Sequence, residues 1–157
     1  AVLLAGHGDT GVGEALAYMA VQVAGAVAAA FTFAAMQSGR TVALQPAASP
    51  GQALCGELAF TFLLSFVVLA VATTRAPLTH YFGLAIGLCV VAGGVAIGNL
   101  SGGLLNPAIS AGLALSDLAN GGSATWLPGY ATIELVGGAV AAGVFRVTHS
   151  GEFGTKM

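Results

Sequence analysis

The sequence predicts an all-α membrane protein, and three observations carry that prediction. Of the 157 residues, 57% are hydrophobic and only 6% charged, against roughly 25% charged in an ordinary soluble domain. Mean hydropathy is +0.91. Four stretches are long and apolar enough to provide the roughly 20 residues that a bilayer-crossing helix needs. Ten charged side chains, four Lys and Arg against six Asp and Glu, cannot solvate a water-soluble surface of this size. A soluble enzyme is thereby excluded. The net charge of −2 offers no basic face, so nucleic acid is not a partner. Glycine, with 24 residues, is about twice its usual share and lacks the collagen period. In an apolar chain that surplus points to helices whose backbones approach closely.

The elements follow in order. The chain opens in mid-run on Ala1-Val2-Leu3-Leu4-Ala5, without the basic region or cleavage pattern of a secretion signal. A first span over 15–37 carries no charge inside its apolar run. Ser38-Gly39-Arg40 and Pro50-Gly51 then mark a connection. A second span over 52–74 holds Glu57, which the apolar run Ala53-Leu54-Cys55 places inside the helix. Thr74-Arg75-Ala76-Pro77 ends it. A third span, 81–98, is uncharged. The fourth, 126–147, holds Glu134 in its middle, after the turn Asn120-Gly121-Gly122-Ser123.

One stretch fits no simple span. Residues 99–115 are too apolar for an aqueous loop, yet Asn106-Pro107 interrupts them. Asn is a good helix cap and Pro a good first helical residue. A helix over 106–116 is then only roughly 15 Å long, half a membrane. It must enter and leave on one side, with its non-helical lead-in lining a wet cavity, because unpaired backbone cannot face lipid.

With four spans, both termini share a side with Arg75. That side collects Arg75, Arg146 and Lys156 against Arg40 alone, so the positive-inside rule directs the termini to a cytoplasmic, stromal or matrix side. Cys55 and Cys89 read as buried small side chains. His7, His80 and His149 read as solvated loop histidines without a metal-binding partner. Asp9, Asp117 and Glu152 read as ordinary solvated charges, and Trp126 and Tyr130 as interfacial aromatic anchors. No cofactor is implied. The pairs Gly83/Gly87 and Gly94/Gly98 are expected to seat neighbouring helices.

The first and last spans match without gaps at an offset of 112: Tyr18 falls on Tyr130, Gln22 on Glu134 and Gly25 on Gly137. An odd number of intervening spans makes the two helices antiparallel, the sign of an inverted repeat. The alternative is a match by Gly/Ala composition alone.

Ser101-Gly102-Gly103-Leu104-Leu105-Asn106-Pro107-Ala108 resembles the second Asn-Pro-Ala signature of the aquaporin and glycerol-facilitator (major intrinsic protein) family. The likeness covers almost the whole chain. Ala17-Tyr18-Met19-Ala20-Val21-Gln22 resembles the family's third helix and Gly51-Gln52-Ala53-Leu54-Cys55-Gly56-Glu57 its fourth. Leu84-Ala85-Ile86-Gly87-Leu88 is similar to the fifth, and the stretch from Trp126 to the sixth. This resemblance implies a single aquaporin-like domain over 1–157, with 1–14 as the end of a first half-helix and its loop. The family fold has six spans and two half-helices, commonly as homotetramers, so on that template the chain starts after the first motif. Four spans and one half-helix cannot enclose such a pore.

By the same resemblance Asn106, Pro107 and Ala108 form the pore motif. Asn106 would donate N–H bonds to a passing oxygen, Pro107 would stiffen the turn, and Ala108 would let two motifs touch. The positive half-helix end disfavours cations. Glu57 would support the lead-in by accepting backbone N–H bonds; alternatively it snorkels to the interface. The filter positions would be Gly94, Gly103 and Ile109. Ile109 stands where most of the family has Arg, and Gly94 where water-selective members have His. Such a pore would be wide and apolar. Glu134 replaces a usual Pro, and a mid-membrane Glu needs a partner, inside the bundle or in another protein. Its mate Gln22 indicates that a polar group is accommodated there.

Two functions from different classes follow. One is an aquaporin-like channel for passive movement of small neutral, glycerol-like solutes and water, catalysing nothing. The other is a non-conducting, aquaporin-derived structural subunit of a larger photosynthetic or respiratory membrane complex, motivated by Ile109, Glu134 and the absent first motif. An intramembrane hydrolase using Ser101 lacks a base, since no His lies within a span.

Overall fold

A computed structural model describes residues 1–6 and 11–153. His7, Asp9 and Lys156 lie outside the described residues. The described chain is helical: α1 (Val2–Ala5), α2 (Val12–Met36), α3 (Pro50–Ala72), α4 (Phe82–Ser101), α5 (Pro107–Ala119), α6 (Leu127–Thr148) and a final 3-10 turn, Ser150–Phe153. Helices α2, α3, α4 and α6 are long and apolar enough to cross a membrane. With 13 residues, α5 reaches only about 20 Å at 1.5 Å per residue.

Local chemistry sets the helix ends. Ser49 caps α3, its hydroxyl accepting the Gln52 N–H at 3.4 Å, with Pro50 in the first turn. Helix α4 runs three residues past the expected end at 98, because nothing breaks it before Gly102. There the backbone turns left-handed (φ 102°), and the Gly102 N–H closes on the Gly98 carbonyl at 3.0 Å. Helix α5 likewise runs to Ala119 rather than 116, and Asn120-Gly121 ends it.

The packing order is α4, α3, α6, α5, α2, with α1 against α6. Two glycines seat the close approaches. A Cβ at Gly137 would lie 2.9 Å from the Leu58 carbonyl oxygen, so α6 meets α3 backbone to backbone. A Cβ at Gly112 would lie 2.6 Å from the Ala26 carbonyl, so α5 meets α2 the same way. The expected pairs do not serve this purpose. At Gly83, Gly87, Gly94 and Gly98 a Cβ would meet nothing within 4 Å, because α4 turns a different face, including Gly93, toward α3 and the lead-in.

The molecule has two distinct ends. At one, Ala5, Leu69, Ala142 and Phe145 form a buried cluster on which Val2, Phe66 and Phe153 pack. The Glu152 carboxylate there accepts the Arg75 backbone N–H at 2.8 Å, and the Arg146 guanidinium lies 5.6 Å from the centre of the Phe153 ring. Glu152 is therefore a tether between segments, not a freely solvated charge. His149 also departs from expectation: it stacks on Phe145 with ring centres 4.4 Å apart. His80 is exposed in its turn.

The opposite end gathers the connection between α2 and α3. The Ala47 and Ala48 N–H groups reach the Leu100 carbonyl at 3.0 and 3.2 Å, placing the end of α4 there. Thr41 donates to Asp117, placing the end of α5 at the same connection. The half-helix therefore leaves on the side where its lead-in began. Cys55 is exposed and Cys89 half-buried, contrary to the expected burial. A thiol is apolar enough to face lipid as readily as protein.

Candidate functional site

Between α4 and α5 the chain must turn back into the bundle without leaving polar backbone in a dry environment. Three residues there have positive φ: Gly102 (102°), Gly103 (63°) and Leu105 (56°). This geometry turns successive N–H groups toward α3, where Glu57 is fully buried. Glu57 Oε1 accepts the Leu104 N–H at 3.0 Å and the Ser101 hydroxyl at 2.6 Å; Oε2 accepts the Leu105 N–H at 2.8 Å. Left-handed backbone at a leucine costs about 1–3 kcal/mol. Two N–H bonds to a carboxylate, each worth about 1.5–3 kcal/mol, offset it. Glu57 does not snorkel; its head group is the anchor of the lead-in.

Tyr130 on α6 completes this anchor. Its hydroxyl donates to the Ser101 carbonyl at 2.8 Å, and the side chain is fully buried. It is not the expected interfacial anchor: the lead-in folds back over the start of α6 and covers the ring. Trp126 is half-buried and packs beside it, against the cluster of Leu44, Ala114 and Tyr130.

The turn into α5 follows. Asn106 is extended (φ −154°, ψ 118°) and caps the half-helix, Oδ1 accepting the Ala108 N–H at 2.9 Å. Pro107 occupies the first helical position, where its missing N–H costs nothing. The Ser110 N–H closes the first helical bond on the Asn106 carbonyl at 3.1 Å. With Oδ1 engaged as the cap, the Asn106 amide nitrogen takes no hydrogen-bond acceptor among the described residues. A polar donor thus stands free at the positive end of a half-helix inside the bundle.

The three residues expected as a filter are not all brought together. Gly103 lies directly on α4, where an added Cβ would sit 3.1 Å from Gly94 Cα. Ile109 instead lines a groove of about 290 Å³ against α2, with Ala26, Ala30, Phe33, Val42 and Leu113 among the walls. The polar repeat mates also separate. Glu134 is 1% exposed and accepts the Ser110 hydroxyl at 2.9 and 3.0 Å to its two oxygens. Gln22 is exposed on α2.

Several residues of this network gave little warning in the sequence. Ser110 looks like an ordinary small residue and Ser101 like a nucleophile without a base, yet each meets a buried carboxylate. Asp117 is buried, not solvated: it accepts the Thr41 hydroxyl and, at 3.0 Å, the Ser123 N–H, tying off the end of α5. The signal available was Asp followed by Asn-Gly-Gly-Ser, a run able to fold back on a carboxylate. Thr61, on α3 against Gly137, is buried with its hydroxyl unpaired among the described residues.

The family model described as Major intrinsic protein matches residues 3–145 of this chain. The chain belongs to the major intrinsic protein family. Among similar proteins, aquaporin NIP1-4 of Oryza sativa subsp. japonica is 39% identical over 65% of this chain and 38% of its own length. Aquaporin NIP3-1 of the same plant is 34% identical over 82% of this chain and 42% of its own. Aquaporin AqpM of Methanothermobacter thermautotrophicus is 31% identical over 87% of this chain and 58% of its own. The chain thus spans between 38 and 58% of these relatives. Family membership and the four apolar helices make this major intrinsic protein an integral, multi-pass membrane protein. The stretch that the family model matches, residues 3–145, includes Glu57, the turn through Asn106 and most of α6.

Proposed function

We propose that this chain contributes one re-entrant half of an aquaporin-like channel for passive movement of small neutral, glycerol-like solutes and water through the bilayer. The observation that carries this reading is Asn106, which caps the buried half-helix with its oxygen and leaves its amide N–H groups free. A passing hydroxyl or water oxygen would accept from those groups. The half-helix dipole would disfavour a cation at the same point. Pro107 and Ala108 keep the turn stiff and slim, and Glu57 holds its lead-in.

Selectivity in this reading follows from what lines the path. Gly94 and Gly103, which lie against each other, contribute no side chain, and Ile109, apart from them in the groove against α2, contributes an apolar one where most family members carry a positive charge. The passage is therefore wide and apolar, favouring solutes with a carbon face over water alone. By family resemblance the working unit is a homotetramer. Stopped-flow light scattering of vesicles loaded with the protein tests the proposal. Glycerol flux above empty vesicles is expected, and Ile109→Arg should reduce it. Intact protein giving no flux of glycerol or water would reject the channel and favour a structural role within a larger membrane complex.

A further inference from the structure

Glu57 holds the lead-in, but a second buried carboxylate meets the half-helix itself. Glu134 projects from α6, 1% exposed, onto Ser110, which is fully buried in the first turn of α5. The Asn106 backbone N–H, Glu57 and Tyr130 are further polar groups near it. The cations Arg40, Arg75 and Arg146 lie in or beside the terminal connections of the helices, so the Ser110 hydroxyl is its principal donor. Ser116, farther along α5, donates to the Ala30 carbonyl of α2 at 3.3 Å. The half-helix is thus bound by hydroxyls to α6 on one side and α2 on the other.

From this geometry we infer that Glu134 is a positioning residue that sets the rotation of α5, and thereby the direction in which Ile109 faces. Successive residues of a helix lie about 100° apart. Ser110 pinned to α6 therefore directs Ile109 into the groove against α2, where it is 40% exposed. Turning α5 by one residue would remove the donor from a carboxyl group that has no water to replace it. This makes rotation costly in both directions. A Pro at position 134 could not provide that restraint. The inference extends the channel reading by assigning control of its lining to a residue that does not touch solute.

The test measures α5 directly and needs no flux. With Cys55→Ser and Cys89→Ser as background, spin labels are attached through Leu115→Cys on α5 and Val140→Cys on α6, both exposed. Their separation is read by pulsed electron resonance in lipid vesicles. A single narrow distance peak is expected for the parent, and Glu134→Gln, which can still bond Ser110, should retain it. Ser110→Ala and Glu134→Leu should each lose it to a broad or displaced distribution. The leucine variant is apolar and of similar size, so insertion in the membrane is preserved. Adding Ser110→Ala to Glu134→Leu should cause little further change, because both remove the same bond. An unchanged narrow peak in Glu134→Leu would overturn the inference, as would a Glu134→Gln variant as disordered as the leucine one. A silent channel with these distances intact would reject the transport reading alone.

Discussion

Helices α2 and α6 carry the same pattern at an offset of 112 and live in different surroundings. On α6, Tyr130 and Glu134 are buried and Gly137 lies against the α3 backbone. On α2, Tyr18 is 59% exposed, Gln22 is exposed, and a Cβ at Gly25 would meet nothing within 4 Å. The difference is not in the helices. Helix α6 is enclosed by α3, α5 and the lead-in, whereas α2 is seated chiefly on α5. The lesson is that a Tyr, polar, Gly face is a docking face whose burial depends on what covers it.

The strongest test of this contrast removes what makes the α6 side polar and closed. Glu57→Ala would leave the Leu104 and Leu105 N–H groups without their acceptor, at about 1–3 kcal/mol each, while the Ser101 hydroxyl keeps the Ile97 carbonyl at 3.2 Å. Loss of most folded protein in detergent is expected, measured by size-exclusion chromatography after heating. Retention of parent stability would mean that the lead-in does not depend on α3. Next in size is a matched pair of substitutions. Gly137→Val should cost about 1–3 kcal/mol or more through the clash with Leu58, while Gly25→Val should leave the melting temperature unchanged. Equal losses at both positions would show that the face of α2 is covered in the bilayer.

Smaller effects sharpen the same comparison. Tyr130→Phe removes the bond to the Ser101 carbonyl and should cost about 1–2 kcal/mol; Tyr18→Phe should cost nothing measurable in the same thermal assay. Smallest of all, Gln22→Leu should shift stability by no more than about 0.5 kcal/mol, as expected for an exposed position without a bonded partner. A larger loss would identify a bond that Gln22 makes only in the membrane.

Much of this arrangement was legible beforehand. The apolar runs located the spanning helices, because a bilayer core excludes charge over a length that helix geometry converts directly into residues. Asn106-Pro107 announced the half-helix for an equally local reason, the cap and the first-turn proline. Glu57 was legible as a support through the family resemblance, with snorkelling to the interface as the alternative, since a carboxylate at that depth requires donors. Less was legible wherever the partner lies far along the chain. Asp117 reads as a loop charge until Thr41 is brought to it from 76 positions away. The glycines of α4 read as packing seats, although Gly112 and Gly137 seat the close helix contacts described above.

The sequence by itself determined the membrane environment, the helices, the re-entrant turn and the family resemblance, since each depends on composition or on a few adjacent residues. Only the tertiary structure decided which faces are enclosed, that Glu134 meets Ser110, and that Gly103 touches Gly94 while Ile109 turns toward α2. The physical reason lies in the solvent. Lipid is as apolar as a protein interior, so hydropathy does not distinguish a buried face from an exposed one. Close backbone approach and buried hydrogen bonds make that distinction, and both require a second segment to be in place.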